Sequence, residues 1–321
     1  MKALVLREHF SDREHIQLAI SEVSKPQIKE GHCLVEVHSS GVNPSDVLGS
    51  IGYFSHAQLP RIPGRDFSGK IIEGAPHLVG KRVWGTGGSA GLDSDGCHAE
   101  YLLLPNTAVA EIPYNLSMNE AGAQVLPYVT AYYSLVQRAH IQKGEKVLII
   151  GGLGQVGLAA LSICQWLGCH PIALVRQKAD IQRAKELGWE AIDTLSSEHR
   201  FDVILNSVGN VYWEALIASL KKNGRIVVIG AQEGKRVAEF NLFEFYRANQ
   251  EFCGVNTVDF NFTENAKMLS VLKSAFESKA LSPLSIEESG VFSMEEATAA
   301  YQAALGKSKG KRIVLQIYSS P

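Results

Sequence analysis

The sequence has no long hydrophobic run and no surplus of charge of either sign. Its longest apolar runs are glycine-rich and too short to span a bilayer, and the N-terminal residues MKALVLRE carry charges that the core of a signal peptide lacks. Thirty-one Lys and Arg residues stand against 33 Asp and Glu, for a formal net charge of −2, whereas nucleic-acid binding depends on a basic surplus. We therefore expect neither a membrane nor a nucleic acid as a partner.

Cysteine is scarce and scattered, which argues against a disulfide framework. The five residues are odd in number and form no CxxC pair. They are Cys33, Cys97, Cys164, Cys169 and Cys253. This usage is typical of a reducing compartment, so we expect a cytoplasmic protein. Glycine, by contrast, is plentiful at 29 residues, and glycine lets a backbone approach its neighbours closely.

The pattern of apolar segments changes near residue 120, which predicts an α/β protein of two domains. In residues 1–120, short β-branched segments alternate with Gly, Pro and Asn breaks, as in a β-rich domain. Residues 121–256 alternate apolar strands with amphipathic helices, one of them over 211–224, which is typical of a doubly wound parallel sheet. Residues 257–321 add two helices and a terminal strand, GKRIVLQIY, which we assign to the first domain and expect to complete its sheet.

A glycine-rich turn follows the apolar strand KVLII and opens a helix. In this context the GxGxxG pattern predicts a dinucleotide-binding site. We expect its first glycine to permit a tight turn, its second to let the backbone approach a pyrophosphate, and its third to allow close helix–strand packing. The helix N-terminus supplies unpaired N–H groups and a positive dipole end. The predicted phosphate-binding residues are Gly152, Leu153, Gly154, Gln155, Val156 and Gly157.

The next strand, HPIALV, ends in cations rather than in an acid. An NAD site usually carries Asp or Glu at this point, on the ribose 2′-OH, whereas Arg176 can pair with a 2′-phosphate in a bidentate way. With Lys178 nearby, the sequence favours NADP(H), although both side chains also fit ordinary solvated loop charges. Arg183 is a weaker candidate for the same role. Four residues at the ends of later strands are also predicted to border the cofactor, namely Asn206, Gly209, Gly230 and Ala231.

Motifs along nearly the full length resemble those of the medium-chain dehydrogenase/reductase superfamily, in its zinc-independent quinone oxidoreductase branch. They are GVNPSD (41–46), LPRIPGRDFSG (59–69), DGCHAEYLLLP (95–105), Thr130-Ala131, VLIIGGLGQVG (147–157), FDVILNSVG (201–209) and GKRIVL (310–315). The resemblance implies a GroES-like β-barrel catalytic domain plus a Rossmann domain, and a homodimer. In this family, position 206 often carries Asp.

The same resemblance argues against a metal. Zinc alcohol dehydrogenases of the superfamily have ligands where this chain has Asn43 and Arg65, with a third ligand near Leu126. An amide, a guanidinium and an alkyl group are not normal zinc ligands. We therefore expect no metal site, and we disfavour a zinc-type alcohol dehydrogenase.

Without a metal, the resemblance implies hydride transfer from NADPH to a quinone or to the β-carbon of an activated alkene. Negative charge then develops on a carbonyl oxygen, where hydrogen-bond donors stabilise it. Asn43, Tyr53 and Thr130 stand where the family places contacts to the substrate or nicotinamide. Asn43 before Pro44 also suits an ordinary turn, Tyr53 also suits loop packing, and Thr130 also suits a helix.

Three further residues near these candidates have weaker predicted roles. His56 is a minor candidate at the substrate entrance, Asp46 is predicted to support the loop of Asn43, and His98 is predicted to be structural. The alternative from another class is a binding module that retains NADP(H) with little turnover.

Overall fold

The computed structural model describes residues 1–55, 57–231, 234–304 and 310–318. Fifteen β-strands lie within these ranges: β1 (Lys2–Leu4), β2 (Ile20–Glu22), β3 (His32–Val42), β4 (Asp66–Glu73), β5 (Arg82–Thr86), β6 (Tyr101–Pro105), β7 (Ala110–Glu111), β8 (Lys146–Ile150), β9 (His170–Leu174), β10 (Ala191–Ile192), β11 (Phe201–Asn206), β12 (Leu220–Val228), β13 (Glu251–Gly254), β14 (Ile286–Ser293) and β15 (Arg312–Gln316).

Eight α-helices lie in the same ranges: α1 (Pro44–Ser50), α2 (Met118–Tyr132), α3 (Gln155–Trp166), α4 (Lys178–Glu186), α5 (Trp213–Ser219), α6 (Leu242–Arg247), α7 (Phe262–Glu277) and α8 (Ala297–Ala304). None of these helices has the length and apolar character needed to cross a membrane. The residues separate into two compact units, Met1–Val129 with Thr257–Pro321, and Thr130–Asn256. The division falls inside α2.

The first unit contains a seven-stranded sheet in the order β14-β15-β3-β4-β5-β7, with β6 also paired to β3. Every neighbouring pair is antiparallel except β14 and β15. In the pairing of β15 with β3, Ile313 lies opposite Val42 and Val314 opposite Gly41. The prediction that the terminal strand completes this sheet is therefore confirmed.

Buried aromatic side chains pack together in the core of the first unit. Trp84 on β5 and Tyr128 on α2 both meet the ring of Phe276 on α7 edge-on, with centroids 5.8 Å and 4.8 Å away. His98 lies in the same unit, fully buried, with Nδ1 3.0 Å from the Tyr301 hydroxyl. Burial lowers the pKa of His98 to about 3, so its ring is neutral near pH 7. His98 is structural, as predicted.

The second unit is built on a six-stranded parallel sheet in the order β10-β9-β8-β11-β12-β13. The chain runs outward from β8 to β9 and β10, and then returns to β11 on the other side. Ligands of doubly wound sheets bind where the strand order reverses, beyond the carboxyl ends of the two central strands, here β8 and β11. The predicted α/β class with a doubly wound sheet is confirmed.

The helix predicted over 211–224 is shorter than the sequence pattern suggests. α5 ends at Ser219, and Leu220 begins β12 by pairing with Phe201 of β11. Leu220 is buried, and tertiary pairing overrides the local helical preference.

Candidate active site

The glycine-rich turn joins β8 to α3 in the second unit. The residue in the left-handed conformation is Gly151, with φ of +72°, and not Gly152, which we expected to permit the tight turn. Gly152 is needed for packing instead, because a Cβ there would lie 2.5 Å from the Ala173 Cβ of β9. At Gly157 a Cβ would lie 2.3 Å from the Gly151 carbonyl oxygen. Gly157 is therefore needed for close packing of α3 against the turn that follows β8, and its predicted packing against a strand stays a prediction.

The middle of this turn leaves room for a ligand. Gly154 is the N-cap residue of α3, and a Cβ there would meet only the Gly151 carbonyl oxygen, at 3.1 Å. The first-turn N–H groups of a helix lack intrahelical partners and point towards an anion placed there. Leu153 is buried, while Gln155 and Val156 open the helix. The turn therefore fits a pyrophosphate.

Asn206 closes the turn at the end of the neighbouring strand, β11. Its Oδ1 accepts from the N–H groups of Val208 at 2.9 Å and Gly209 at 3.2 Å, and its Nδ2 donates to the Gly209 carbonyl at 2.8 Å. An ionised Asp could not make the last bond, because it has no donor. This pairing gives a physical reason for Asn at position 206, where the family often has Asp.

Gly209 is required at the same turn, while Gly230 has more space. Gly209 has a φ of +81°, and a Cβ there would lie 2.2 Å from the Lys235 carbonyl oxygen. At Gly230 the nearest atom to a Cβ would be the Ser207 carbonyl oxygen at 3.6 Å, which is ordinary contact. Gly230 and Ala231 follow the carboxyl end of β12. The candidate cofactor edge is thus formed by turns after β8, β11 and β12.

The two cations proposed for a 2′-phosphate are exposed at the end of β9. Arg176 lies two residues after the strand, and Lys178 is the first residue of α4. Neither side chain forms an ion pair or hydrogen bond with a described residue. Arg183, one turn further along α4, already interacts with another residue. Arg176 and Lys178 are therefore available to a bound anion.

In the first unit, Asn43 lies at the centre of a buried polar network. It is the N-cap residue of α1 and only 2% exposed. Its Nδ2 donates to Asp66 Oδ2 at 2.9 Å, and its Oδ1 accepts from Arg312 Nη2 at 2.8 Å. Its backbone N–H donates to Asp46 Oδ2 at 2.7 Å, so the predicted supporting role of Asp46 is confirmed.

Arg65 acts on Asp46 and Asp66 through its charge rather than through a hydrogen bond, and we include it in the buried network, which consists of Asn43, Asp46, Arg65, Asp66 and Arg312. Arg65 donates to the Thr257 carbonyl at 3.1 Å, and Arg312 Nε donates to the Ala123 carbonyl at 2.5 Å. Asp66 and Arg312 are not among the residues predicted from the sequence. The feature that could have identified them is a charged residue at the border of an apolar strand, in RDFSG for Asp66 and in KRIVL for Arg312.

Burial and the neighbouring charges shift the pKa values of the two carboxyl groups of the network. Burial raises the pKa of Asp46 to about 7, although the Asn43 N–H opposes this rise. Asp66 raises the pKa of Asp46 further, while Arg65 and Arg312 lower it. Burial also raises the pKa of Asp66, and the Arg312 guanidinium works against that shift.

The residues at the positions of the family's zinc ligands do not fit zinc. The Asn43 amide is bonded to Asp66 and Arg312, and Arg65 is a buried cation. Leu126 contributes only its backbone N–H, which donates to Asp66 Oδ2 at 3.3 Å. Across the described ranges, no group of three or more His, Cys, Asp and Glu side chains could hold a metal. The donor set is that of an ionic network rather than of a zinc centre.

The other predicted catalytic residues lie outside this network. Tyr53 follows α1 in a turn, is 44% exposed and meets the Phe54 ring edge-on at 5.2 Å. Thr130 is a buried residue of α2 in the second unit, and its carbonyl accepts from the Ser134 hydroxyl at 2.7 Å. His56 lies outside the described residues. The structure thus brings together Asn43 and its charged partners, and the roles of Tyr53 and Thr130 stay predictions.

Two family models match the chain. Residues 29–114 match the alcohol dehydrogenase GroES-like domain, and residues 156–274 match the zinc-binding dehydrogenase model. A zinc-type alcohol dehydrogenase-like protein of Schizosaccharomyces pombe is 34% identical over 264 residues, which are 81% of this chain and 80% of that protein. A quinone oxidoreductase of Pongo abelii is 27% identical over 277 residues, 82% of this chain and 83% of that protein.

A solved structure of similar architecture supports the fold. An alcohol dehydrogenase superfamily protein from Novosphingobium aromaticivorans has a TM-score of 0.86 at 26% identity, with 99% of this chain and 100% of that chain covered. Together with the GroES-like match, this likeness confirms the predicted combination of a GroES-like domain and a Rossmann domain.

The buried carboxyl of Asp46 makes stability depend on pH in a direction that we can predict. Its folded pKa of about 7 lies above the ordinary value of 3.8, so the native state binds this proton more tightly than the unfolded chain. The contribution of Asp46 to the free energy of unfolding therefore falls as pH rises from about 4 to 7. Asp46→Asn, which cannot ionise, should gain stability relative to the parent across that range, by up to a few kcal/mol. Thermal unfolding midpoints of both proteins, measured from about pH 5 to 8, test this.

Glu296→Gln is the matched control for this experiment. The exposed Glu296 carboxylate accepts from the N–H and hydroxyl of Ser293, at 2.9 Å and 3.0 Å. These bonds lower its pKa below 4.5, so it stays ionised throughout the range. Its midpoint relative to the parent should not vary with pH. If the stability that Asp46→Asn gains over the parent became smaller as pH rises, this result would contradict the raised pKa of Asp46.

Proposed function

Because the chain belongs to the medium-chain dehydrogenase/reductase superfamily, we propose that it is an NADPH-dependent oxidoreductase that works without zinc. Its proposed substrate is a quinone, or an enone or other activated alkene. Membership of the superfamily makes it an oxidoreductase, and the open space at Gly154 in the turn after β8 supports the binding of a nicotinamide dinucleotide. The choice of NADPH and of the substrate class is our proposal. A cytoplasmic location, predicted from cysteine usage, stays a prediction.

The observation that carries this proposal is the donor set at Asn43, Arg65 and Leu126. A zinc enzyme polarises a carbonyl with the metal, and these three residues offer an amide, a cation and an alkyl group in its place. The similar protein of Schizosaccharomyces pombe is described as zinc-type, but this chain replaces the ligands that such chemistry needs. Hydrogen-bond donors are left to stabilise the carbonyl oxygen.

The residues of the second unit are proposed to hold the cofactor. NADPH, when bound, supplies the hydride. The turn after β8 binds its pyrophosphate, Arg176 and Lys178 bind its 2′-phosphate, and the turns after β11 and β12 border it. The residues of these turns are Gly152, Leu153, Gly154, Gln155, Val156, Gly157, Asn206, Gly209, Gly230 and Ala231. Asn43, Tyr53 and Thr130 are proposed to contact the substrate or the nicotinamide.

A steady-state assay tests the proposed reaction. The purified protein should oxidise NADPH when a benzoquinone, a naphthoquinone or an α,β-unsaturated ketone is added, as followed by loss of the reduced nicotinamide absorbance. Micromolar binding of NADPH without turnover on any of these substrates would instead identify a binding module. If elemental analysis found about one tightly held zinc ion per chain, the alternative function of a zinc-type alcohol dehydrogenase would be supported instead.

Reversal of the charge at Arg176 tests the choice of NADPH over NADH. Arg176→Asp should weaken NADPH binding about 10- to 100-fold, because attraction of the 2′-phosphate becomes repulsion, and it should leave NADH binding unchanged. Isothermal titration calorimetry measures both. Lys185→Asp, at the other end of α4 and equally exposed, is the control and should bind both cofactors normally. If Arg176→Asp also binds both normally, then Arg176 has no part in the site.

We also propose a homodimer that forms at the edge of the parallel sheet. β13 is the last strand in the order, and an open strand edge favours pairing with another chain. Leu242, Phe243 and Tyr246 of α6, just before this strand, are 69%, 63% and 59% exposed. An edge strand and an exposed apolar surface on two elements that follow each other in the chain suit a two-fold interface.

Sedimentation velocity tests this dimer. The parent should sediment as a species of twice the chain mass. A Phe243→Lys/Tyr246→Lys double variant should shift towards the monomer, because it would bury two charges per chain at the interface. Val79→Lys, at an exposed apolar residue of the first unit, is the control. A parent protein that is monomeric at micromolar concentration would refute the proposal.

A further inference from the structure

Arg312 reaches the interior of the first unit through a space that two glycines leave. It is the first residue of β15 and is fully buried. A Cβ on Gly41 of β3 would lie 2.7 Å from Arg312 Nη2 and 2.8 Å from the Gly122 carbonyl oxygen. A Cβ on Gly122 would in turn lie 2.9 Å from the Ser39 carbonyl oxygen. The missing side chains at these two positions allow the guanidinium to pass between β3 and α2.

The guanidinium joins four separate parts of the chain. It extends from β15, donates to the Ala123 carbonyl of α2 and to Oδ1 of Asn43 at the start of α1, and has Nη2 3.7 Å from Asp66 Oδ2 of β4. Asp66 in turn accepts from Asn43 Nδ2. The Asn43 carboxamide is therefore held between a buried cation and a buried carboxylate.

These two partners permit only one orientation of the carboxamide. A guanidinium carries donors and no acceptor, and an ionised carboxylate carries acceptors and no donor. If the amide of Asn43 were flipped, its N–H groups would face Arg312 and its oxygen would face Asp66. In the observed orientation, one Nδ2 hydrogen is bonded to Asp66, and the other has no acceptor among the described residues.

We propose that Arg312 is a positioning residue, which fixes Asn43 so that its second Nδ2 hydrogen donates to the carbonyl oxygen of a quinone or enone. This inference rests on the proposed function, since it gives Asn43 its substrate contact. Arg312 touches neither substrate nor cofactor and acts through the Asn43 amide. Its hydrogen bond to Oδ1 also draws electron density from the amide nitrogen, which strengthens the remaining N–H as a donor.

Arg312→Lys separates this positioning role from charge balance. Lysine keeps the positive charge beside Asp66, but its single nitrogen cannot reproduce the planar fork of arginine. We expect kcat to fall about 10- to 100-fold, up to the loss seen when one donor to an oxyanion is removed. The Kd for NADPH should stay within about twofold of the parent value, since the cofactor cradle is in the second unit.

Arg225→Lys is the matched control. Arg225 forms a bidentate ion pair with Glu145, at 2.9 Å and 2.8 Å, and Glu145 directly precedes the amino end of β8, at the opposite end of that strand from the glycine-rich turn. This variant should unfold at a lower temperature and keep its kcat. If Arg312→Lys does not fold, Gly41→Ala is the second variant. Its Cβ would crowd Arg312 Nη2 at 2.7 Å and the Gly122 carbonyl oxygen at 2.8 Å, so it displaces the guanidinium and the adjoining turn of α2 and leaves every charge in place.

A double-mutant cycle shows whether Arg312 acts through Asn43. Asn43→Ala should lower kcat, and Arg312→Lys should cause no further loss when added to it, because the amide that it positions is gone. If the two losses multiply, or if Arg312→Lys retains the parent kcat, the proposal is overturned.

A readout independent of turnover separates this proposal from the proposed function. In protein labelled with ¹⁵N-asparagine, the side-chain NH₂ resonance of Asn43 is assigned by its absence in Asn43→Ala. Arg312→Lys should shift this resonance, and Arg225→Lys should leave it in place. A shift in a protein that reduces no quinone or enone would support the positioning of Asn43 and overturn the proposed reaction. A resonance unmoved by Arg312→Lys overturns the positioning role, whatever the turnover.

Discussion

Two carboxylates and two guanidinium groups are buried together around Asn43, and their mutual neutralisation constrains the first unit. Asp66 and Arg312 are fully buried, while Asp46 and Arg65 are 6% and 4% exposed. Removal of Asp66 or of Arg312, which face each other at 3.7 Å, would leave the other as an uncompensated charge in the interior, which costs about 3–5 kcal/mol. Each neighbouring element is therefore held to the position that satisfies these charges.

This constraint explains why distant parts of the chain meet. Arg312 and Asn43 are 269 residues apart in sequence, and the antiparallel pairing of β15 with β3 brings them together. The same pairing puts Gly41 beside the guanidinium, so that the sheet and the network require the same register. A shift of one residue would move Arg312 to the other face of the sheet and leave Asp66 without its cation.

The sequence predicts local features well and long-range ones poorly. The turn after β8 and the strand–helix alternation of the parallel sheet follow from patterns within short segments, and both are present. The pairing of the last strand with β3 is long-range, and it was expected only because terminal strands often pair with early ones. Gly151 was missed because the GxGxxG pattern begins one residue later, although Gly151 has the positive φ. Asp66 and Arg312 were missed because the members of the network come from three segments, 43–46, 65–66 and 310–315, and nothing in one segment shows which charge will be buried against another. The alternative interpretation of Asn43, as a residue that suits a turn before Pro44, agrees with its position as the N-cap residue of α1.

The amide N–H of Asn43 is a weak electrophile, and this weakness limits which carbonyl compounds the proposed site can reduce. An amide N–H, even one polarised by Arg312, carries less charge than a metal dication, so it stabilises a developing oxyanion less. Reduction of an isolated ketone generates an alkoxide, whose conjugate acid, like water, has a pKa far above that of a phenol. Hydride addition to a quinone instead generates a phenolate-like oxygen, and a phenol has a pKa of about 10. Addition to an enone similarly spreads its charge over an enolate. An acceptor of this delocalised kind needs less stabilisation at oxygen, so the role that we propose for Asn43 suits quinones and enones better than simple ketones.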